Sequence, residues 1–234
     1  MAIGNYNLAD ADSFGDLDDY IIDPFFKLKG MDVFLCEADG GVPETKVADH
    51  SWFVQHGLRD APIFLVNIST QWGNILLYFS LPEWLKDWDC LEENDHDSKE
   101  MKALKRFFDG SDQNRSSTLY FMPSVVEAPY AVRCVSPSKQ EYPMGDRAYL
   151  PLLWTKYPAE PENNKAIAME LEIDCMSSGW VRSMAGLVKR NLVSLSIDVA
   201  VLLKTEEAQL CLALWRFDHI DISSSPTMPA RVTN

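Results

Sequence analysis

The acidic segment DADSFGDLDDYI, residues 10–21, has a spacing of carboxylates that resembles a calcium-binding loop. An EF-hand loop places oxygen ligands at positions 1, 3 and 5, a glycine at position 6 and a bidentate glutamate at position 12. Asp10, Asp12 and Gly15 match these positions, but position 12 is Ile21. Because the missing glutamate would supply two oxygens, the segment predicts a solvated acidic arm and not a calcium site.

The histidines do not form a pattern typical of a metal site or a general base. His50 and His56 are separated differently from the HExxH pair of zinc proteases, and no pair of thiolates lies near them. His96 lies in the acidic loop EENDHDSK, where we expect solvated charges. His219 follows a predicted strand, and we expect a structural hydrogen bond there rather than proton transfer.

Three carboxylates alternate with apolar residues in the segment AIAMELEIDCM, residues 166–176: Glu170, Glu172 and Asp174. Alternate residues of a strand share one face, so these groups could form a pair of catalytic acids. An acidic face opposite an apolar face is more typical of a sheet with one solvated side, which predicts solvated carboxylates. The sequence also lacks GxSxG, Walker A and GxGxxG motifs, and we expect a non-enzymatic protein with no metal and no cofactor.

The segments that position these residues are mostly strands. Apolar and alternating runs bounded by turn residues predict strands at 62–70, 74–82, 117–126, 130–135, 166–176, 192–204 and 209–222. Helices are predicted at 98–108 and 178–191, with Ser98 and Ser178 as their N-caps. Short connections between successive strands favour antiparallel pairing.

The length of 234 residues and the hydrophobic content of 47% are sufficient for one packed core. We predict an α+β fold, with a mostly antiparallel, curved β-sheet and a few packed helices in a single domain over residues 21–222. An acidic N-terminal arm, residues 1–20, precedes this domain. The Ser/Pro-rich tail, residues 223–234, is expected to be disordered.

The net charge of −14 argues against nucleic-acid binding and against broad adsorption to anionic membranes, because both need clustered cations. No apolar run approaches the ~20 residues of a bilayer span, and the first residues do not form a secretory signal. The cysteines are odd in number and never form a CxxC motif, which indicates a reducing, cytoplasmic location. Cys134, Cys175 and Cys211 lie in apolar runs, and we expect them to be small core residues.

Several stretches occur in an order that resembles one known family: FFKLKGMDVF (25–34), DGSDQNRSSTLYFMPSVVEAPYAVRCV (109–135) and ELEIDCMSSGWVRSMAGLVKRNLVSLSIDVAVLLK (170–204). They resemble the C-terminal domain of Enhanced Disease Resistance Two, a domain of unknown function. The likeness runs from about Phe25 to Ile222. In plant members this domain follows a pleckstrin-homology domain and a START domain, so the chain resembles a stand-alone version.

The resemblance implies a role in membrane or lipid biology and, in plants, in the negative regulation of defence and cell death. The domain is not an established enzyme, and the family offers no settled ligand residues to carry over. Residues that match recurrent polar positions of the family are Asp174, Ser177, Ser178, Asp198 and Arg216. We expect them to organise a helix start and strand ends, so that replacing Asp174 with Ala lowers stability.

The leading hypothesis is a domain that binds a lipid or another apolar molecule in a pocket between the sheet and the helix at 178–191. The expected lining residues are Phe64, Leu77, Phe79, Tyr130, Trp180, Met184 and Leu187. If this helix faces a membrane instead, Arg182, Lys189 and Arg190 could meet lipid phosphates while Trp180 lies at the interface. The expected location is cytoplasmic, with peripheral membrane contact as an open alternative.

Simpler interpretations of the same residues stay open. Apolar residues at these spacings also form plain core, and a basic helix face also occurs in solvent. An alternative function is a protein-interaction module, in which the acidic arm and the EENDHD loop attract a basic partner protein. An enzyme that uses His219 with the nearby acids is a third and less favoured hypothesis.

Overall fold

The computed structural model describes residues 24–37, 62–85, 92–134, 140–145, 150–158 and 166–228. The acidic segment 10–21, the arm 1–20, and His50 and His56 lie outside the described residues.

The described residues form both strands and short helices, as in an α+β fold. The strands are β1 (Lys27–Cys36), β2 (Ile63–Thr70), β3 (Gly73–Ser80), β4 (Leu119–Glu127), β5 (Tyr142–Pro143), β6 (Leu152–Pro158), β7 (Ala166–Asp174), β8 (Ser196–Lys204), β9 (Gln209–Asp218) and β10 (Thr227–Met228). The α-helices are α1 (Lys99–Asp109), α2 (Asp112–Thr118), α3 (Tyr130–Arg133) and α4 (Gly179–Asn191). Short 3-10 turns occur at Glu83–Leu85 and Leu192–Ser194.

The strands form two hydrogen-bonded sheets that meet along one seam. One sheet has the order β10-β1-β3-β2-β7-β6 and the other has the order β5-β4-β8-β9. The β1–β10 and β2–β7 pairs are parallel, whereas the remaining described pairs are antiparallel. At the seam, the backbone N–H groups of Phe25 and Phe26 donate to the carbonyl oxygens of Cys211 and Leu212, at 3.0 and 2.8 Å. The prediction of a mostly antiparallel, curved sheet in an α+β fold is confirmed.

Helix α1 packs on the inner face of the curved sheet, which is the face that carries the main core. Its apolar residues Ala103, Leu104, Phe107 and Phe108 are buried there. Ser98 caps the helix by accepting a hydrogen bond from the Met101 N–H at 3.2 Å, as the sequence predicts. The buried aromatic side chains and the cap together fix α1 against the sheet.

The β2–β3 hairpin forms as predicted, with a turn of two residues, Gln71 and Trp72. Gly73 follows the turn and lies against β1. A Cβ atom added at Gly73 would lie 2.0 Å from the Phe34 carbonyl oxygen, so only glycine allows the two backbones to approach this closely.

The prediction of a strand over 130–135 is wrong, because Tyr130–Arg133 forms the short helix α3. Pro129, with φ of −56°, precedes the helix, and the Cys134 N–H donates back to the Tyr130 carbonyl at 3.0 Å. The hydrophobic run could not distinguish a strand from one helical turn, since the segment is too short to show a period.

The sequence also missed α2, β1 and β6, whose residues mix polar and apolar types. The prediction of disorder from residue 223 is wrong for Thr227 and Met228, which pair with β1 as the edge strand β10. The Leu35 N–H donates to the Pro226 carbonyl at 2.9 Å. An edge strand offers free backbone groups to any extended segment, so this pairing needs no hydrophobic pattern.

Candidate functional site

The inner face of the sheet is lined by the strand residues that the sequence predicts to hold an apolar ligand. Phe64, Leu77 and Phe79 are fully buried and belong to the main core cluster. The ring of Phe64 lies 5.2 Å from that of Phe26, and the ring of Phe79 lies 5.9 Å from that of Trp215. These three predicted lining residues therefore lie together in the interior, which we define as the inner face and the side chains packed on it.

Trp215 gives this apolar interior one polar atom without a partner. Its side chain is fully buried, and among the described residues no hydrogen-bond acceptor pairs with its indole Nε1. The flanking rings belong to Phe79 and Phe217, the latter with its centroid 6.1 Å away. Because leaving a buried N–H donor unpaired costs about 1–3 kcal/mol, Trp215 is a place where an acceptor atom would be stabilising.

Helix α4 covers another part of the interior and is attached to it through the β2–β3 hairpin. The Trp72 indole N–H donates to the Ala185 carbonyl at 3.2 Å, and the Lys189 ammonium lies 5.7 Å from the centre of the Trp72 ring. A Cβ atom at Gly186 would lie 2.7 Å from the Gln71 side-chain amide nitrogen. The hairpin turn thus holds the middle and the end of α4.

The apolar side chains of α4 are only half-buried: Val181, Met184, Ala185, Leu187 and Val188. In the described part of the helix, the one buried residue is Gly186. The side chain of Trp180 lies outside the described residues. Of the helix residues predicted to line a pocket, Met184 and Leu187 are therefore half-buried, and Leu187 packs on a small cluster outside the main core.

Tyr130 does not line the interior, contrary to the prediction. Because its segment is helix α3 and not a strand, the side chain is turned outward and is 83% exposed. Two further apolar residues near it are exposed, Val126 by 43% and Val193 by 60%. They flank a small buried cluster formed by Ala128, Val132 and Leu195, onto which Leu187 and Val188 also pack.

The basic residues predicted to contact a membrane are all exposed, but they lie at two ends of α4. Arg182 is near its start and donates to the Met176 carbonyl. Lys189 and Arg190 lie in its last turn, which follows the residues Leu187 and Val188 that pack on the Ala128 cluster. Arg133, at the end of α3, is also exposed. The second group therefore combines cations with the exposed apolar residues.

The polar positions that the resemblance in the sequence indicated form two separate sites. Asp174 accepts a hydrogen bond from the Met176 N–H at 2.8 Å and another from the Ser177 hydroxyl. Ser178 caps α4 by accepting from the Val181 N–H at 3.5 Å. These residues lie between β7 and α4, where they shape the start of the helix.

The second site is an ion pair on the outer face of the other sheet. Asp198 of β8 and Arg216 of β9 are direct cross-strand neighbours. The Arg216 Nε and a terminal nitrogen donate to the two oxygens of Asp198 at 2.5 and 2.8 Å. This hydrogen-bonded carboxylate raises the pKa of Arg216 above its ordinary value. Asp198 is fully buried, so removing either partner would leave a charge without compensation within the sheet.

The carboxylates of β7 differ from the solvated face that the sequence predicts. Glu170 is only 4% exposed and accepts hydrogen bonds from the Asn67 amide at 2.7 Å and from the Tyr157 hydroxyl. Glu172 accepts from the Ser69 hydroxyl at 2.7 Å. The prediction failed because an exposed strand face and a hydrogen-bonded one share the same alternation.

These contacts continue across the sheet as a polar ladder, which comprises Asn67, Ser69, Asn74, Tyr157, Glu170 and Glu172. The Asn74 side-chain amide donates to Oδ1 of Asn67 at 2.7 Å and to the Ser69 hydroxyl oxygen at 3.1 Å. The available sequence signal was the presence of Asn67 and Asn74 in otherwise apolar strands. Within the described residues, no group of three or more His, Cys, Asp or Glu side chains is arranged to hold a metal ion.

The reactive side chains that the structure describes lie apart from one another. Burial raises the pKa of the Cys175 and Cys211 thiols to about 12, and both residues are buried as predicted. Cys134 is exposed at the end of α3, contrary to the prediction of a core residue. His219 is half-exposed, with Nδ1 2.9 Å from an oxygen of Asp218.

The comparisons with known proteins identify one family. The family model described as Protein ENHANCED DISEASE RESISTANCE 2, C-terminal, matches residues 22–210. No curated protein and no solved structure matches the chain. Among the described residues, none of the helices is long and apolar enough to cross a membrane.

Proposed function

Because the chain belongs to the Enhanced Disease Resistance 2 C-terminal family, we propose that it is a non-enzymatic domain that binds a lipid or another apolar molecule at a membrane surface. The ligand would lie between the inner face of the sheet and helix α4. The observation that carries this proposal is the incomplete burial of α4. Its apolar residues Val181 and Val188 are half-buried, although they pack against the main core cluster.

A helix packed in this way can separate from the sheet at low cost, because it loses little buried apolar area when it moves. Its polar attachment to the hairpin consists mainly of the bond from Trp72 to the Ala185 carbonyl. An apolar molecule that enters beneath α4 would cover surfaces that are now half-exposed. The unpaired indole N–H of Trp215 favours a ligand that carries an oxygen acceptor, such as a hydroxyl or carbonyl group.

The test is native mass spectrometry of the full chain purified from its own host, followed by organic extraction and identification of bound molecules. We expect a lipid-like molecule bound at one per chain. Val181→Trp would place a bulky ring where α4 contacts the main core and should reduce the occupancy of this ligand. Ser183→Trp adds the same ring on the exposed side of the helix and should leave the occupancy unchanged. A protein free of ligand in this experiment would contradict the proposal.

A further inference from the structure

Most of the exposed large apolar residues of the described structure lie at one end of the molecule. This end is formed by α3 and the last turn of α4. Val126, Tyr130 and Val193 lie there, and Leu153 is the remaining large apolar residue of this kind. In the sequence, each of the three lies two residues from a member of the packed Ala128, Val132 and Leu195 cluster. A soluble surface rarely groups such residues without a partner.

Backbone hydrogen bonds hold the segments that carry these side chains. The Val132 N–H donates to the Pro129 carbonyl at 2.9 Å, which closes the turn of α3. The His219 N–H donates to the Leu195 carbonyl at 2.9 Å and joins the end of β9 to the segment that precedes β8. The exposed residues therefore need little ordering before they contact a partner.

Exposed cations lie close in sequence to the same residues. Arg133 and Arg190 each follow, within two positions, a member of the packed cluster or a residue that packs on it. Lys189 is also exposed, but its ammonium lies 5.7 Å from the centre of the Trp72 ring. The chain as a whole carries a net charge of −14, so this end differs in charge from the rest of the molecule. Glu127 and Asp218 are the acids beside it, and both lie near His219, with the Glu127 oxygen 3.8 Å from Nε2.

We propose that this docking end, which comprises Val126, Tyr130, Arg133, Arg190 and Val193, binds the surface of an anionic bilayer. Tyr130, Val126 and Val193 would enter the interface, where an aromatic ring with a polar hydroxyl is favoured. The two arginines would contact lipid phosphates. The acidic remainder of the chain is repelled by such a surface and would point this end toward it. This docking rests on the proposed membrane function and names its contact surface.

The experiment measures co-sedimentation of the full chain with vesicles of phosphatidylcholine alone and with vesicles that also contain phosphatidylserine, at a fixed low salt concentration. We expect binding to the anionic vesicles. Arg133→Glu with Arg190→Glu should weaken it by about tenfold or more, since each cation near an anionic surface contributes about 1 kcal/mol. Lys29→Glu with Lys99→Glu is the matched control, because it changes the net charge equally at exposed positions outside the docking end.

The apolar contribution is tested separately with Tyr130→Ser and the control Leu153→Ser, which alters an exposed apolar residue on β6. We expect a severalfold loss of vesicle binding for Tyr130→Ser alone, with unchanged thermal unfolding for both. Equal binding of all variants, or no binding of the wild-type chain to either vesicle, would overturn the docking. A protein partner that is lost in the same variants while vesicle binding persists would overturn it too.

The two proposals fail in different ways. A bound lipid found by extraction, together with absent vesicle binding, would reject the docking end and leave the interior site standing. Vesicle binding that needs Arg133 and Tyr130, in a protein from which no lipid is extracted, would reject the interior site and support the docking end.

Discussion

Helices α1 and α4 both lie against the same curved sheet, but they are held in different ways. Helix α1 buries Leu104, Phe107 and Phe108 in the core. It is also tied to the preceding loop by Lys105, whose ammonium pairs with Asp97 at 2.7 Å. In α4 the apolar side chains stay half-buried. The difference predicts that α1 belongs to the folding core, whereas α4 can separate from the sheet locally while the sheet stays folded.

The largest test of this comparison is a pair of truncations, Phe108→Ala in α1 and Leu187→Ala in α4. Phe108 is fully buried, and its removal should lower the free energy of unfolding by about 3–5 kcal/mol. Leu187 is half-buried, and we expect a loss of about 1 kcal/mol. Urea denaturation monitored by tryptophan fluorescence measures both. Equal losses would show that α4 is as firmly packed as α1.

The next test measures how much the buried ion pair between β8 and β9 matters for stability. Asp198→Ala leaves the Arg216 guanidinium without its carboxylate in a largely buried position, and we expect a loss of about 3 kcal/mol. Glu207→Ala removes an exposed pair with Arg106, at 3.0 Å, and should change stability by less than about 1 kcal/mol. Similar losses in the two variants would mean that the buried pair has no special role.

A smaller effect is expected at the start of α4. Asp174→Ala removes the acceptor for the Met176 N–H and the Ser177 hydroxyl, and should lower stability by about 1 kcal/mol. Amide hydrogen exchange should become faster in the first turn of α4. Asp221→Ala removes a comparable turn bond, to the Ser223 N–H at 2.9 Å, away from any helix and serves as the control. An Asp174 variant with unchanged exchange in α4 would contradict the assignment.

The smallest effect concerns the contact between α4 and the hairpin. Gly186→Ala should gain up to about 1 kcal/mol of helix propensity. The new methyl group would meet the Gln71 amide nitrogen at 2.7 Å, which is the far end of a flexible side chain. If α4 is loosely packed, the Gln71 side chain moves aside and the melting temperature rises slightly. A lower melting temperature would show that the hairpin clasps the helix rigidly.

Much of this fold could be predicted from local pattern. The N-caps Ser98 and Ser178 and the apolar runs of β2, β3, β7, β8 and β9 gave the correct element types, because burial and capping leave direct marks on the sequence. The segment that starts at Tyr130 was assigned wrongly, since one helical turn is shorter than the period that would reveal it.

The candidate sites were less accessible to prediction, because they depend on contacts between distant segments. The bond from Asn67 to Glu170 joins residues 103 positions apart, so the sequence could show the two side chains but not their meeting. The Asp198–Arg216 pair shows the same limit, although a resemblance to a family had marked both residues as polar positions. The exposure of Tyr130 required the helical turn itself to be known.

The seam between the two sheets has a consequence for how the protein folds. Phe25 and Phe26 bond to the backbone at Cys211 and Leu212, so the second strand of this contact is synthesised long after the first. During translation, the backbone N–H groups of Phe25 and Phe26, just before β1, lack these partners until β9 leaves the ribosome. Pairing over such a long sequence separation also slows folding. We therefore expect chains truncated before Cys211 to aggregate rather than to form a stable partial domain.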